Sequence, residues 1–220
     1  MSGRLLAIGD IHGYTAALDA VVRAADIRPE DTLVALGDYV DRGPDSKGTI
    51  KCLIELGKRC RLITIRGNHD QMVLVVGDMM PSNMDEWLRF GGDATLRSYD
   101  VESPADLPPE HIKFLRNCVD YYETETHFFV HASYLEDLPL AEQPSETLHW
   151  DSLRRRIPGP HCSGKTAIVG HTAQGDGEIV DIGHLICIDT WIYGEGRLTL
   201  MDVESGQLWQ ADKTGRLRGD

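Results

Sequence analysis

Three times between residues 5 and 70, a short apolar run meets a glycine and gives way at once to acids, amides and imidazoles. Residues 5–8 lead into Gly9-Asp10-Ile11-His12-Gly13, residues 32–36 into Gly37-Asp38-Tyr39-Val40-Asp41-Arg42-Gly43-Pro44, and residues 62–65 into Gly67-Asn68-His69-Asp70. Apolar runs this short, bounded by glycine, read as buried strands. Between the first two, Leu18, Val21, Val22 and Ala25 fall at helical spacing, and between the next two Ile50, Leu53 and Ile54 do the same. Alternation of strand and helix is the pattern of an α/β fold. Ligands in such folds bind beyond the carboxyl ends of the strands, so the three polar clusters are expected to meet at one place. Two later runs, 128–130 and 167–169, deliver His131 and Gly170-His171-Thr172 to the same edge, and a sixth spans 185–188.

A chain of 220 residues is long enough to close a sizeable core, and a single domain over 1–220 is expected. Residues 78–120 interrupt the rhythm: 84–90 precede a Gly91-Gly92 break, and in a proline-started segment Ile112, Leu115 and Val119 repeat helically. They read as a small helical cap insertion. Residues 197–203, a Ser205-Gly206 turn and 207–210 predict a closing hairpin ahead of a polar end.

Several classes of function are disfavoured. The formal net charge of −13 argues against holding a nucleic-acid backbone, which needs clustered Lys and Arg. Five cysteines without a Cys-x-x-Cys pair suit neither a disulfide framework nor a thiolate zinc site, and reduced thiols are expected. No apolar run approaches the ~20 residues that cross a bilayer, and the first residues lack a signal peptide's long apolar stretch. The expectation is a soluble cytoplasmic protein with no membrane partner.

The polar clusters suggest a pair of metal ions. Asp10 and His12, two apart in an extended segment, can project to one side and grip a cation. Asp38 can bridge to a second cation, whose site Asn68, His131 and His171 complete. Mixed oxygen and nitrogen ligands suit manganese, iron or zinc better than calcium, and manganese is the expected ion. Any one cluster alone reads as a turn or a satisfied core histidine. Five together, each after a strand, would otherwise load a core with unpaired polar groups.

In this order, Gly-Asp-Ile-His-Gly, Gly-Asp-Tyr-Val-Asp-Arg-Gly, Gly-Asn-His-Asp, His131-Ala132 and Gly-His-Thr resemble the motifs of the phosphoprotein phosphatases, bacterial and phage type, among the calcineurin-like metallophosphoesterases. The resemblance covers most of the chain. It implies a sandwich of two mixed β-sheets flanked by α-helices, with Asp10, His12, Asp38, Asn68, His131 and His171 as metal ligands. A water shared by two cations about 3.5–4 Å apart is then the expected nucleophile. His69 is the candidate proton donor to the leaving group, and Asp41 is placed to aim it. Arg42 is the candidate phosphate binder, its planar guanidinium matching phosphate oxygens bidentately. Relatives around His149-Trp150-Asp151 often carry a phosphate-contacting arginine where this chain has Ser152; Arg154 can take that role, or Arg154, Arg155 and Arg156 are a solvated charge run. Arg66 is expected to support the site from behind. Asp70 replaces a glutamate common in the family, and Trp191 a glycine common in bacterial relatives.

The expected function is a serine/threonine protein phosphatase acting on a phosphoprotein or phosphopeptide. A symmetric dinucleoside-tetraphosphate hydrolase, favoured by Asp70, is the second reading, with Trp87, Phe90 and Tyr99 able to stack a base or simply to pack the insertion. A non-catalytic scaffold is the third, and the intact ligand set counts against it. Residues 159–166 match the phosphate-loop pattern Gly-x-x-x-x-Gly-Lys-Thr letter for letter, yet they lead into a strand where that loop opens a helix, so they are expected to bind no nucleotide.

Overall fold

Strands that are apolar on both sides need cover on both faces, and two stacked sheets with outer helices supply it. The computed structural model describes residues 3–78 and 83–219; residues 79–82 of the expected insertion, and the extreme ends, lie outside the described residues. The first half runs β1 (Leu5–Ile8), α1 (Thr15–Ala24), β2 (Thr32–Ala35), α2 (Ser46–Leu56), β3 (Arg61–Thr64) and α3 (Asn68–Asp78). Helices α4 (Met84–Trp87), α5 (Asp93–Tyr99) and α6 (Pro109–Arg116) follow. Then come β4 (Tyr121–Glu123), β5 (His127–Val130), α7 (Ser145–Trp150), β6 (Thr166–Val169), β7 (Val180–Asp181), β8 (Leu185–Cys187), β9 (Leu198–Asp202) and β10 (Leu208–Ala211).

Each sheet has five strands, in the orders β10-β9-β1-β2-β3 and β4-β5-β6-β8-β7. Three parallel strands lie within each: β1, β2 and β3, with Leu6 opposite Leu33 and Leu33 opposite Leu62, and β5, β6 and β8, with Phe128 opposite Ala167 and Ala167 opposite Leu185. Antiparallel neighbours complete them, and the closing hairpin is β9–β10.

The strand period of two sorts the core into three layers. Leu6, Ile8 and Leu33 face the helices and pack with Leu18, Val21, Ile50 and Leu53. Ala7, Val34 and Leu36 face the other way and meet Phe129, Ile168 and Ile188 of the second sheet. Phe128, Val130 and Ala167 close the outer side against Leu140, Leu148 and Leu153. Each fully buried leucine or isoleucine contributes ~1.5–3 kcal/mol, and this apolar stack fixes the strand ends from which the polar loops emerge.

Two details depart from the sequence reading. Val119 is not part of the helical repeat: α6 stops at Arg116, and Val119 forms a parallel bridge with Ile65, its N–H donating to the Thr64 carbonyl at 2.9 Å. The edge strands β4 and β7 carried no apolar signal because they are short and half exposed. The expected Gly91-Gly92 break is a kink, with Gly91 at φ 105° inside a π-helical turn. Residues 159–165 run as irregular chain into β6, with no helix behind them.

Candidate metal centre

The loops leaving β1, β2 and β3 are stitched together through the backbone. The Asp38 carbonyl accepts from the N–H groups of Ile11 (3.1 Å) and His12 (2.7 Å). Asp70 Oδ2 accepts from the N–H groups of Asp38 (2.8 Å) and Gly67 (3.0 Å), and its Oδ1 from that of Tyr39 (3.0 Å). Asp70 is buried and therefore spent on the scaffold. Gly37, at φ 107°, leaves no room for a Cβ, which would stand 2.6 Å from the Gly67 nitrogen.

Strain gathers at this edge. His12, Asp38, Asp41, Arg42, His171 and Trp191 all have φ between 47° and 69°, and only Asp26 and Asp100 join them among the described non-glycine residues. Left-handed backbone costs such residues ~1–2 kcal/mol each, and strain of this kind collects where function holds side chains in place. The glycine usual at the Trp191 position would bear that conformation at less cost.

Among the described residues, two groups of side chains have mutually close ligand atoms, all within 4.8 Å: His12 with Asp38 and His69, and Asp38 with His131 and His171. Asp38 belongs to both, its Oδ2 3.5 Å from His12 Nε2 and its Oδ1 3.5 Å from His131 Nε2. Asn68 Oδ1 lies 3.0 Å from both His131 Nε2 and His171 Nδ1. Asp10 stands beside the groups, its carboxylate accepting the His171 N–H at 3.0 Å. The sequence's six candidate ligands thus share one edge, and His69, expected only as a proton donor, comes as close as they do.

The donor set fits divalent cations. His12 Nδ1 faces the Val40 carbonyl (3.0 Å), His131 Nδ1 that of Leu36 (2.8 Å), and His171 Nε2 that of Trp150 (3.2 Å). A carbonyl only accepts, so each of those nitrogens carries the proton and the other ring nitrogen turns a lone pair inward. Around Asn68 Oδ1, three acceptors converge with no proton between them, an arrangement a cation satisfies. Burial keeps the imidazoles in the neutral, metal-binding form: it lowers His12 well below its ordinary pKa, His131 to about 3, and His171 by less. Burial, then the charges of Asp189 and Asp38, push the Asp10 carboxyl well above the usual range. The concentration of buried negative charge is one that bound cations relieve.

Asp41 and His69 form a buried pair, Oδ2 to Nδ1, at 2.8 Å. Helices α4 and α5 lock the carboxylate: Trp87 Nε1 donates to Oδ2 (2.9 Å) and Thr95 Oγ1 to Oδ1 (2.6 Å), while the Asp41 N–H donates to Thr95 Oγ1 (2.9 Å). Sequence reasoning gave Thr95 no role. Trp87 and Tyr99 are buried, Tyr99 with its hydroxyl 2.6 Å from His111 Nδ1, so neither offers a free face for a base; Phe90 alone of the three is exposed, 6.4 Å from His69 ring to ring.

Arg42 sits at the edge of the cluster, Nη1 donating to His12 Nε2 at 3.0 Å, its guanidinium 4.0 Å from the centre of the Tyr193 ring. The three later arginines divide. Arg156 pairs with Glu136, and Arg154 turns back so that Nη2 donates to the Ala173 carbonyl at 2.6 Å. Arg155 lines a 480 Å³ cavity with Gln71, Trp150 and Asp151. Arg66 lies behind the site, Nη2 donating to the carbonyls of Cys118 (2.7 Å) and Arg116 (3.2 Å). Two further residues were missed. Asp189 follows the 185–188 run as Asp10 follows 5–8, but without a glycine to mark it; it is buried, with Oδ1 accepting the Trp191 N–H and Oδ2 lacking a partner. Tyr193 had no sequence signal.

The model of calcineurin-like phosphoesterases matches residues 3–175. Serine/threonine-protein phosphatase 1 of Salmonella typhimurium is 40% identical over 87 residues, which are 39% of this chain and 38% of that protein. The symmetrical bis(5'-nucleosyl)-tetraphosphatase of Janthinobacterium sp. is 26% identical over 211 residues, 90% of this chain and 70% of that one. Among solved structures, a candidate diadenosine tetraphosphatase superposes with a TM-score of 0.73 at 21% identity, over 96% of this chain and 94% of that one. A cold-active protein tyrosine phosphatase does so at 0.70 and 17%, over 99% and 78%. Likeness at these identities carries the sandwich of two mixed sheets flanked by helices. No helix among the described residues is long and apolar enough to cross a membrane.

Proposed function

Since this chain belongs to the calcineurin-like phosphoesterase family, whose members hydrolyse phosphate esters with divalent metal ions, we propose that it is a phosphomonoesterase acting on phosphoserine and phosphothreonine side chains. The observation that carries the reading is the Asp41–His69 pair, 2.8 Å apart and held by Trp87 and Thr95. A seryl or threonyl alkoxide is a poor leaving group and needs a proton as it departs. A nucleoside phosphate leaves readily and needs one less. The buried, aimed imidazole is the device that the harder of these reactions demands.

Asp10, His12, Asp38, Asn68, His131 and His171 would hold two cations, with manganese the ion we favour over iron or zinc. When bound, the cations polarise phosphoryl oxygens and make water acidic enough to attack near neutral pH. His69 donates its proton to the leaving oxygen, and Asp41 keeps the ring turned for that transfer. Arg42 binds the phosphate oxygens from the open side. Arg154, occupied with the Ala173 carbonyl, is a weaker second candidate.

The second reading, a symmetric dinucleoside-tetraphosphate hydrolase, is favoured by the span of the match to the Janthinobacterium protein. The test is kcat/KM on a phosphothreonine peptide and on diadenosine tetraphosphate, using metal-stripped protein reconstituted with manganese. Peptide turnover that returns with manganese and exceeds dinucleotide turnover supports the proposal. A strong preference for the dinucleotide replaces it with the second reading, and inactivity on both leaves a scaffold.

A further inference from the structure

We infer that Tyr193 is a positioning residue for phosphate recognition: its ring face holds the Arg42 guanidinium flat, so that the N–H donors along the guanidinium edge point at phosphate. The inference rests on the phosphate-binding role proposed for Arg42. The Arg42 Cζ lies 4.0 Å from the Tyr193 ring centre, a stacking distance, and the same ring stands edge-on to His12 at 5.1 Å and 88°. Stacking occupies the π face of a guanidinium and leaves its in-plane donors available, the geometry a tetrahedral anion uses.

Among the described residues, Arg42 has one other side-chain hold, the bond from Nη1 to His12 Nε2. A cation held by His12 would take that nitrogen's lone pair, so in the metal-loaded protein this bond would be given up and the Tyr193 face would remain to order the guanidinium. The backbone is already fixed, with the Arg42 N–H donating to the Gly91 carbonyl at 3.1 Å and φ at 68°.

The loop that presents Tyr193 is built to a single shape. Asp189 Oδ1 accepts the Trp191 N–H (3.0 Å), Thr190 Oγ1 donates to the Arg197 carbonyl (2.6 Å), and the N–H groups of Gly194 (3.0 Å) and Gly196 (3.2 Å) donate to the Trp191 carbonyl. A Cβ at Gly194 would stand 2.1 Å from the Trp191 indole, and one at Gly196 1.8 Å from the Thr190 carbonyl oxygen. Ile192, fully buried, anchors the loop to the core, whereas Tyr193 is half-buried and turned to the site. Packing alone is thus served by Ile192, and the aromatic ring beside it is left for Arg42.

Binding of inorganic phosphate to the manganese-loaded protein, followed by calorimetry, tests this in the native sequence, Tyr193→Phe, Tyr193→Ala, Arg42→Ala and the double variant, with kcat and KM measured on p-nitrophenyl phosphate. Tyr193→Ala should weaken phosphate binding about 5- to 10-fold, in the range expected of one cation–π contact, and raise KM more than it lowers kcat. Tyr193→Phe should restore binding, because the ring face and not the hydroxyl makes the contact. In the Arg42→Ala background, Tyr193→Ala should add nothing. Unchanged phosphate affinity in Tyr193→Ala, or an equal loss with and without Arg42, overturns the inference while leaving the role of Arg42 intact. If Arg42→Ala itself binds phosphate normally, both readings fall together.

Discussion

In the first half of the chain, the loops after β1, β2 and β3 are bound to one another before any ligand arrives, whereas in the second half His131, His171 and Asp189 reach the site one at a time. Asp70 alone accepts three backbone N–H groups from two loops, and Asp41 gathers Thr95, Trp87 and His69. In the second half, the carboxylates of Asp176, Asp181, Asp189, Asp202 and Asp212 accept backbone N–H groups only within their own turns. His131 crosses to the Leu36 carbonyl of the first half for its orientation, and Asp189 leaves one buried oxygen without a partner. One half is a preformed frame that holds the His69 imidazole against a carboxylate, and the other closes the site with groups that a frame does not fully satisfy.

If the first half aims a proton, breaking that aim should matter in proportion to how badly the leaving group needs it. His69→Ala is expected to lower kcat/KM on a phosphoserine peptide by ~10²–10⁴, the usual worth of a general acid. On p-nitrophenyl phosphate, whose leaving group departs unaided, the loss should be at least about tenfold smaller by the same reasoning. Equal losses on the two substrates would mean that His69 serves the metal group, with which its ring nitrogen also lies.

This asymmetry decides what was legible. The first half announced itself because its candidate ligands lie beside glycines directly after apolar runs, so chain proximity and site proximity coincide: Asp38, Asp41 and Arg42 are neighbours in both senses. His171, next to Gly170, stood out by the same rule, and His131 by its place directly after an apolar run. Tyr193 was not, since it reaches Arg42 through a loop whose shape depends on contacts among Trp191, Gly194 and Gly196 that no periodicity reveals. Nor was the work of Thr95 and Trp87, which meet Asp41 across 54 and 46 residues of chain. Asp70 carried a family resemblance in the sequence, whereas its work as a tie between two loops was not legible there.

The frame itself can be tested without substrate. Asp70→Ala leaves three buried N–H groups without an acceptor, and at ~1–3 kcal/mol for each unsatisfied group a loss of at least about 3 kcal/mol is expected in the urea unfolding free energy of metal-free protein. Asp70→Asn, which keeps an acceptor oxygen, should lose less. A destabilisation under about 1 kcal/mol in the alanine variant, below the cost of a single orphaned donor, would show that the loops hold their places by packing alone.

For the second half the smallest effect is also the one of opposite sign, a substitution that stabilises. Burial pushes the Asp189 carboxyl up to about 6, an effect that the Trp191 N–H only partly offsets. Its pKa in the unfolded chain is ~3.9. The folded protein therefore prefers the protonated form, and the stability Asp189 contributes is complete below about pH 4 and lost as pH rises through 6. Two units correspond to roughly 2–3 kcal/mol. Asp189→Asn keeps the oxygen that accepts from Trp191 and removes the titration, so metal-free variant and native protein should match near pH 4, and the variant should be about 2 kcal/mol the more stable at pH 7. Urea unfolding at the two pH values measures this. Parallel curves would mean that Asp189 is already satisfied, and that the second half is as complete a frame as the first.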